Sequence, residues 1–264
     1  MTTIVQRSAE GLSYLSCAGG GDIPLVLLHG IGSNAHSFGP LMQALASRYP
    51  SLAWDAPGYG DSEPLAVAWP DASDYADALE RLLARLDVRR CIVLGHSLGC
   101  LIAARYAVIA PARVAALVLI SPALGYFADR GGALPPSVAA RLEDLDRLGP
   151  QAFAAKRAPG LLADPAAQPD MLAAVERAMA AVRRPGYDQA ARMLASGRLF
   201  DDAAAIEAPA AVITAAEDRI TPPDSGHLAF AALRSSQRPF FRLVKNAGHA
   251  VCQERPEEVA RVIA

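Results

Sequence analysis

The stretch that decides the fold is VLGHSLGC, residues 93–100. Apolar strand formers run into Gly95, a lone serine at Ser97, and Gly99. A turn of the form G-x-S-x-G between a strand and a helix holds its serine in a strained, exposed position, and the flanking glycines remove side chains that would clash. The strand reading rests on RCIVLGHS before the serine, and the helix reading on LGCLIAARYAVIAP after it. A helix that starts at the serine also points free backbone N–H groups at it.

Outward from this turn the chain alternates short apolar runs with helical spacing. PLVLLHG (24–30), SLAW (51–54), RCIVLGHS and VAALVLISP read as strands that are apolar on both faces, as a parallel sheet covered by helices demands. SDYADALERLLARLDV reads as an amphipathic helix capped at Ser73 or Asp74. TIVQR and LSYLSC read as an added hairpin. The fold class is therefore α/β, with right-handed crossovers. Between 123 and 205 no strand pattern occurs; the segment reads as about four short helices broken by Pro and Gly. APAAVITAAEDRITPP and PFFRLVKNAGH then restore the strand rhythm, so a helical insertion interrupts the core. This gives core 1–122, insertion 123–205 and core 206–264. The closing RVIA reads as an unfinished final helix.

A serine hydroxyl needs a base, the base needs an orienting acid, and the oxyanion needs donors. The expected chain order is Ser, acid, His. His249 follows the strand FFRLV in the turn NAGHAV, on the same sheet edge as Ser97. Asp218 and Glu217 both follow the strand AAVIT; Asp218 is preferred by its distance from the strand end. Asp55 ends a strand too, but precedes the serine and reads as a turn former bonding its own backbone. The oxyanion donors are expected to be the amides of Leu98 and Ile31, the latter in the loop HGIGSN. His29 and His36 flank that loop and are pocket candidates, His227 falls in a helix, and His96 is expected to point away from the serine. The loop lacks a phosphate cradle's GxGxxG, Walker lysine or nearby base.

The 264 residues are 52% hydrophobic and 20% charged, with net charge −2. That is a globular composition, and it argues against a nucleic-acid binder. Arginine far outnumbers lysine, which occurs only at Lys156 and Lys245, a bias suited to a high-GC bacterial gene. Cys17, Cys91, Cys100 and Cys252 are scattered, without metal-ligand spacing. No apolar signal core opens the chain, and the longest apolar run, VAALVLI, is too short to span a bilayer. A cytoplasmic protein with no membrane or nucleic-acid partner and no cofactor is expected. Whether it forms a homo-oligomer is left open.

HGIGSN, DAPGYGDS, GHSLG, AEDRITPP and NAGH, in this order across nearly the whole chain, resemble the α/β-hydrolase superfamily. The resemblance implies a mostly parallel sheet of about eight strands, with the insertion after strand 6 as a helical cap over the site. Within it, RRPGYDQAARMLASGRLFD (183–201) and EDRITPP look like the bacterial 3-oxoadipate enol-lactonases of aromatic-compound breakdown. The C–C-cleaving meta-cleavage-product hydrolases are similar, although Ala250 stands where they commonly have an aromatic residue. Cys100 stands where the first group often has another glycine. The serine elbow sets the chain apart from epoxide hydrolases and haloalkane dehalogenases, which use aspartate.

The resulting expectation is a serine hydrolase cleaving a small ester or lactone, with Ser97, His249 and Asp218 as triad. An acyltransferase or perhydrolase on the same triad, and a non-catalytic ligand receptor, are the rivals. In the insertion, Lys156, Arg157, Arg183 and Arg184 are candidates to hold a substrate carboxylate, against a reading as solvated faces. Phe153, Met171, Met179, Tyr187 and Met193 either line an apolar pocket or pack the insertion onto the core.

Overall fold

A computed structural model describes residues 2–263. Its strands are β1 (Ile4–Ala9), β2 (Leu12–Cys17), β3 (Leu25–Leu28), β4 (Ser51–Trp54), β5 (Cys91–His96), β6 (Val114–Ile120), β7 (Ala210–Ala215) and β8 (Phe240–Val244). Its helices are α1 (Gly39–Leu45), α2 (Ala72–Arg85), α3 (Gly99–Ile109), α4 (Pro136–Arg157), α5 (Pro169–Ala180), α6 (Gly186–Ser196), α7 (Leu199–Ala203), α8 (Pro223–Ala232), α9 (Val251–Glu254) and α10 (Pro256–Ile263). The strands form one sheet in the order β1-β2-β4-β3-β5-β6-β7-β8. The β1–β2 and β2–β4 pairs are antiparallel; all others are parallel.

The alternation of side chains across a strand explains why LVLL is apolar throughout. Leu25 and Leu27 face one core cluster, with Leu41 and Met42 of α1 and Val259 of α10. Val26 and Leu28 face the other, with α2 and α3. Along α2, Tyr75, Leu79, Leu82 and Leu83 are buried at i, i+4, i+7 and i+8. Burying each of the three leucines contributes about 1.5–3 kcal/mol. The helix cap differs from the sequence expectation: Asp71, not Ser73 or Asp74, is the N-cap. Asp71 Oδ1 accepts from the Ser73 and Asp74 amides, and Asp74 Oδ2 accepts from the Asp71 amide, completing a capping box.

The strand order turns at β3: β4 lies on one side of it and β5 on the other. In open parallel sheets such a switch opens a crevice outside the strands' carboxyl ends. The loop after β3 (residues 29–34) and Ser97 after β5 meet there.

The connection from β6 to β7 carries α4–α7 and, among the described residues, no strand. The 22 residues of α4 are two helical segments that meet at a kink, where Gly149 (φ +72°, ψ 165°) leaves helical geometry ahead of Pro150. Phe153, Met179, Tyr187 and Met193 from this connection are buried in the same cluster as α2 and α3. Two glycine pairs bring backbones together: a Cβ on Gly58 (φ +81°) would run into Gly186, and one on Gly125 into Gly197. Gln189 adds side-chain bonds to the Leu65 and Val67 carbonyls, at 2.6 and 2.9 Å.

Candidate active site

Ser97 sits between β5 and α3 with φ +54°, in the left-handed region. That conformation costs a non-glycine residue about 1–2 kcal/mol. It is held by the Ser97 amide donating to Ile120 O (2.9 Å) and by its carbonyl, which accepts from Cys100 N (3.0 Å) and Ala123 N (3.2 Å). The elbow glycines are required by contact. A Cβ on Gly95 would strike the backbone of Gly99 and Cys100, and one on Gly99 would strike the Leu28 carbonyl. Gly30 faces the serine directly; a Cβ there would lie 2.9 Å from Ser97 Cβ.

The structure joins two of the expected residues through a hydrogen bond. His249 Nδ1 and Asp218 Oδ2 are 2.8 Å apart, with Asp218 4% and His249 5% exposed. This contact assigns the proton to Nδ1 and leaves Nε2 free to accept. Asp218 Oδ1 accepts from the Ile220 and Thr221 amides at 2.8 and 2.9 Å. The Thr221 hydroxyl lies 3.0 Å from Asp218 Oδ2 and bonds the Ser121 carbonyl at 2.9 Å. Burial alone would raise the Asp218 carboxyl, but the adjacent His249 and the Thr221 amide outweigh it and bring it from 3.8 to about 2.

Ser97, Asp218 and His249 follow the carboxyl ends of β5, β7 and β8. Ser97 is 5% exposed. Its neighbour His96 closes the gap between these loops: His96 Nε2 is 2.8 Å from the His249 carbonyl, and the two rings are 4.8 Å apart. Burial, with His249 alongside, pushes the His96 imidazole down to about 3, so it stays neutral and donates from Nε2. The sequence reading had His96 point away from the serine and gave it no bond to the His249 carbonyl. Glu217, the rival acid, is used elsewhere. Its Oε2 accepts from the Ala247 amide at 2.9 Å, and its own amide donates to the Ala247 carbonyl at 3.0 Å.

Ile31 and Leu98 lie on either side of the serine, in the β3 loop and the elbow. Outside helices and strands, neither amide donates to a backbone carbonyl among the described residues. The loop carrying Ile31 is fixed by His29, whose Nε2 accepts from the Ala56 amide at 3.0 Å and whose Nδ1 therefore donates to the Gly30 carbonyl at 2.8 Å. His29 is thus a buried brace and not a pocket wall. Asp55 is also corrected: it does not bond its own turn. Its Oδ2 accepts from Ser13 Oγ at 2.6 Å and its Oδ1 from the Ala35 amide at 2.9 Å, tying β2 to the loop after β3.

A cavity of about 30 Å³ opens beside His249, lined by Gly30, Ile31, His96, Leu161, Val175 and Ala178. That is far below the ~300–1,000 Å³ of an ordinary ligand pocket. Of its lining, Leu161, Val175 and Ala178 belong to the β6–β7 connection.

Of the cations weighed for a carboxylate, Lys156 pairs with Asp144 at 2.7 Å, and Arg184 with Asp146 and Asp188 at 2.7 and 3.1 Å. Arg183 bonds the Ser62 carbonyl at 2.8 Å. Arg157 lies over the Phe153 ring, 5.4 Å from its centroid. Phe153, Met179, Tyr187 and Met193 are buried packing residues, and Met171 packs with Ala250.

Comparison with known proteins agrees with this architecture. The model of the alpha/beta hydrolase family matches residues 25–262. The dihydrolipoyllysine-residue acetyltransferase component of the acetoin cleaving system of Pseudomonas putida is 31% identical over 255 residues, covering 94% of this chain. The chain spans 64% of that protein's length. Among solved structures, an enol-lactonase from Burkholderia xenovorans superimposes with a TM-score of 0.84 at 21% identity, over 98% of both chains. A thermophilic esterase from Thermogutta terrifontis gives 0.82 at 21% identity, over 100% of this chain and 96% of its own. The chain belongs to the alpha/beta hydrolase family. No helix among the described residues is long and apolar enough to cross a membrane.

Proposed function

We propose that the protein is a cofactor-free serine hydrolase that cleaves a small carboxylic ester or lactone through an acyl-enzyme on Ser97, and that the β6–β7 connection is the cap over its site. The observation that carries this reading is the left-handed Ser97 turn at the carboxyl end of β5, on the sheet edge that also carries a histidine whose Nδ1 is held by the Asp218 carboxylate. Ser97 Oγ attacks the carbonyl carbon and its proton passes to His249 Nε2. Asp218 stabilises the imidazolium and keeps the ring oriented. The Ile31 and Leu98 amides hold the oxyanion, and losing one such donor costs about 3 kcal/mol of transition-state stabilisation. The tetrahedral species collapses, and the leaving alkoxide takes the proton from His249. Water, deprotonated by His249, then attacks the acyl-enzyme and releases the acid and free Ser97.

Active-site titration with a fluorophosphonate, beside p-nitrophenyl acetate and butyrate assays, tests this. Wild type should label once per chain and turn over, and Ser97→Ala should do neither while keeping its circular dichroism spectrum. Turnover by pure Ser97→Ala would overturn the assignment. The acetyltransferase name of the Pseudomonas putida relative favours a second reading, transfer of the same acyl group to an acceptor other than water. Product analysis with competing alcohols and thiols separates the two.

A further inference from the structure

The loop that carries His249 is held at several points. Ala247 is paired with Glu217, the His249 carbonyl with His96, and the Ala250 amide with the Leu161 carbonyl of the cap at 2.9 Å. The amide of Gly248, the residue before the base, donates to Glu254 Oε2 at 2.6 Å. Glu254 is only 6% exposed. Its other oxygen, Oε1, accepts from the Ala163 amide and from Gln168 Nε2, both at 3.0 Å and both in the cap.

Burying a carboxylate is costly unless every lone pair finds a donor. Here the reason for the charge is geometric. The two backbone amides approach opposite oxygens, so both oxygens must accept. A glutamine would turn its NH₂ toward one of them. The fit is close on the other side as well, since a Cβ on Gly248 would come within 2.7 Å of Ala163 N. The cap segment 161–163 thus lies directly on the residues flanking the base.

We propose that Glu254 is a positioning residue for catalysis. One carboxylate sets both the residue before His249 and the cap segment above it, so the base is in register with Ser97 only while the cap is seated. This rests on the serine-hydrolase reading. It adds a residue that touches no reacting atom and a coupling between cap and base. Misplacing a catalytic group by about 1 Å costs on the order of 100-fold, so losing this brace should lower the rate of every step that uses His249.

The test is Glu254→Gln and Glu254→Ala, measured per titrated active site. Fluorophosphonate titration counts competent sites, p-nitrophenyl butyrate kinetics give kcat and KM, and thermal melting reports the fold. For both variants we expect kcat per site and the phosphonylation rate constant to fall together, by roughly 10- to 100-fold, with KM within about twofold of wild type. Wild-type kcat per titrated site, with only fewer sites or a lower Tm, would overturn the proposal and leave Glu254 a structural residue. A fall in phosphonylation rate with KM raised and kcat unchanged would overturn it as well. A wild type inert to both reagents would instead remove the serine-hydrolase reading, and the proposal with it.

Discussion

Replacing Asp218 by asparagine separates the charge of the acid from its shape. The Ile220 and Thr221 amides both donate to Oδ1, so the asparagine carbonyl must take that position. Its NH₂ group then falls at the Oδ2 position, 2.8 Å from His249 Nδ1. Two donors cannot face each other there. His249 is driven to the tautomer with its proton on Nε2, where it cannot accept the proton of Ser97, and the imidazolium loses its counter-charge. The same change in a Ser-His-Asp triad lowers kcat about 10⁴-fold, or about 5 kcal/mol. A carboxyl held at about 2 against an ordinary 3.8 also stabilises the folded state by about 2 kcal/mol at neutral pH. For a chain of this size, losing it lowers Tm by about 4–8 °C. The assay is initial-rate hydrolysis of p-nitrophenyl acetate by Asp218→Asn, with Ser97→Ala as the background. Retention of more than about one-hundredth of wild-type kcat would refute the reasoning. In that event Glu217→Gln, which removes the charge of the rival acid, should carry the loss instead.

The same carboxylate sets an acid limit. Its folded value is depressed, so its contribution is complete above about pH 4 and disappears as pH falls toward about 2. Urea unfolding of wild type should weaken across that window more steeply than that of Asp218→Asn. At the Gly58–Gly186 contact, Gly58→Ala forces a side chain into left-handed backbone and against the neighbouring main chain. It should lose at least about 2 kcal/mol in urea unfolding, whereas Ala at Gly131, which has nothing within 4 Å, should lose only the backbone part.

Much of this was legible in the sequence for a physical reason. Strands covered on both faces must be apolar throughout, so β3, β5, β6 and β7 stand out as runs. Residues that do chemistry fall where those runs end, in loops marked by glycine and proline. The candidates Ser97, Asp218 and His249 were chosen in that way. What was not legible are bonds between distant residues. Nothing local in CQERPE marks Glu254 as buried beneath Ala163, and nothing in GHS aims His96 at the His249 carbonyl. Asp55 looked like a turn former because its partners, Ser13 and Ala35, are 42 and 20 residues away. The cap of α2 was sought at Ser73 or Asp74, and the extended backbone at Asp71 (φ −109°, ψ −176°) places it earlier in the chain. The aromatic and methionine residues of the insertion had two readings, because a helix's apolar stripe does not say what will cover it.

The two glycine pairs bear on how this protein could be recombined with its relatives. At Gly58–Gly186 the insertion meets the core main chain on main chain, and at Gly125–Gly197 the two ends of the insertion meet in the same way, with no side chain to absorb a mismatch. Around them Arg183, Gln189 and Arg192 are bonded to carbonyls of residues 62–68. Helix α6 is therefore inherited with the core, whatever its place in the chain. Chimeras exchanging the whole span from β6 to β7 should express poorly. Exchanges confined to 136–157 and 169–180, leaving 161–163 in place, keep the seams intact and still replace Val175 and Ala178, the α5 side chains that line the cavity.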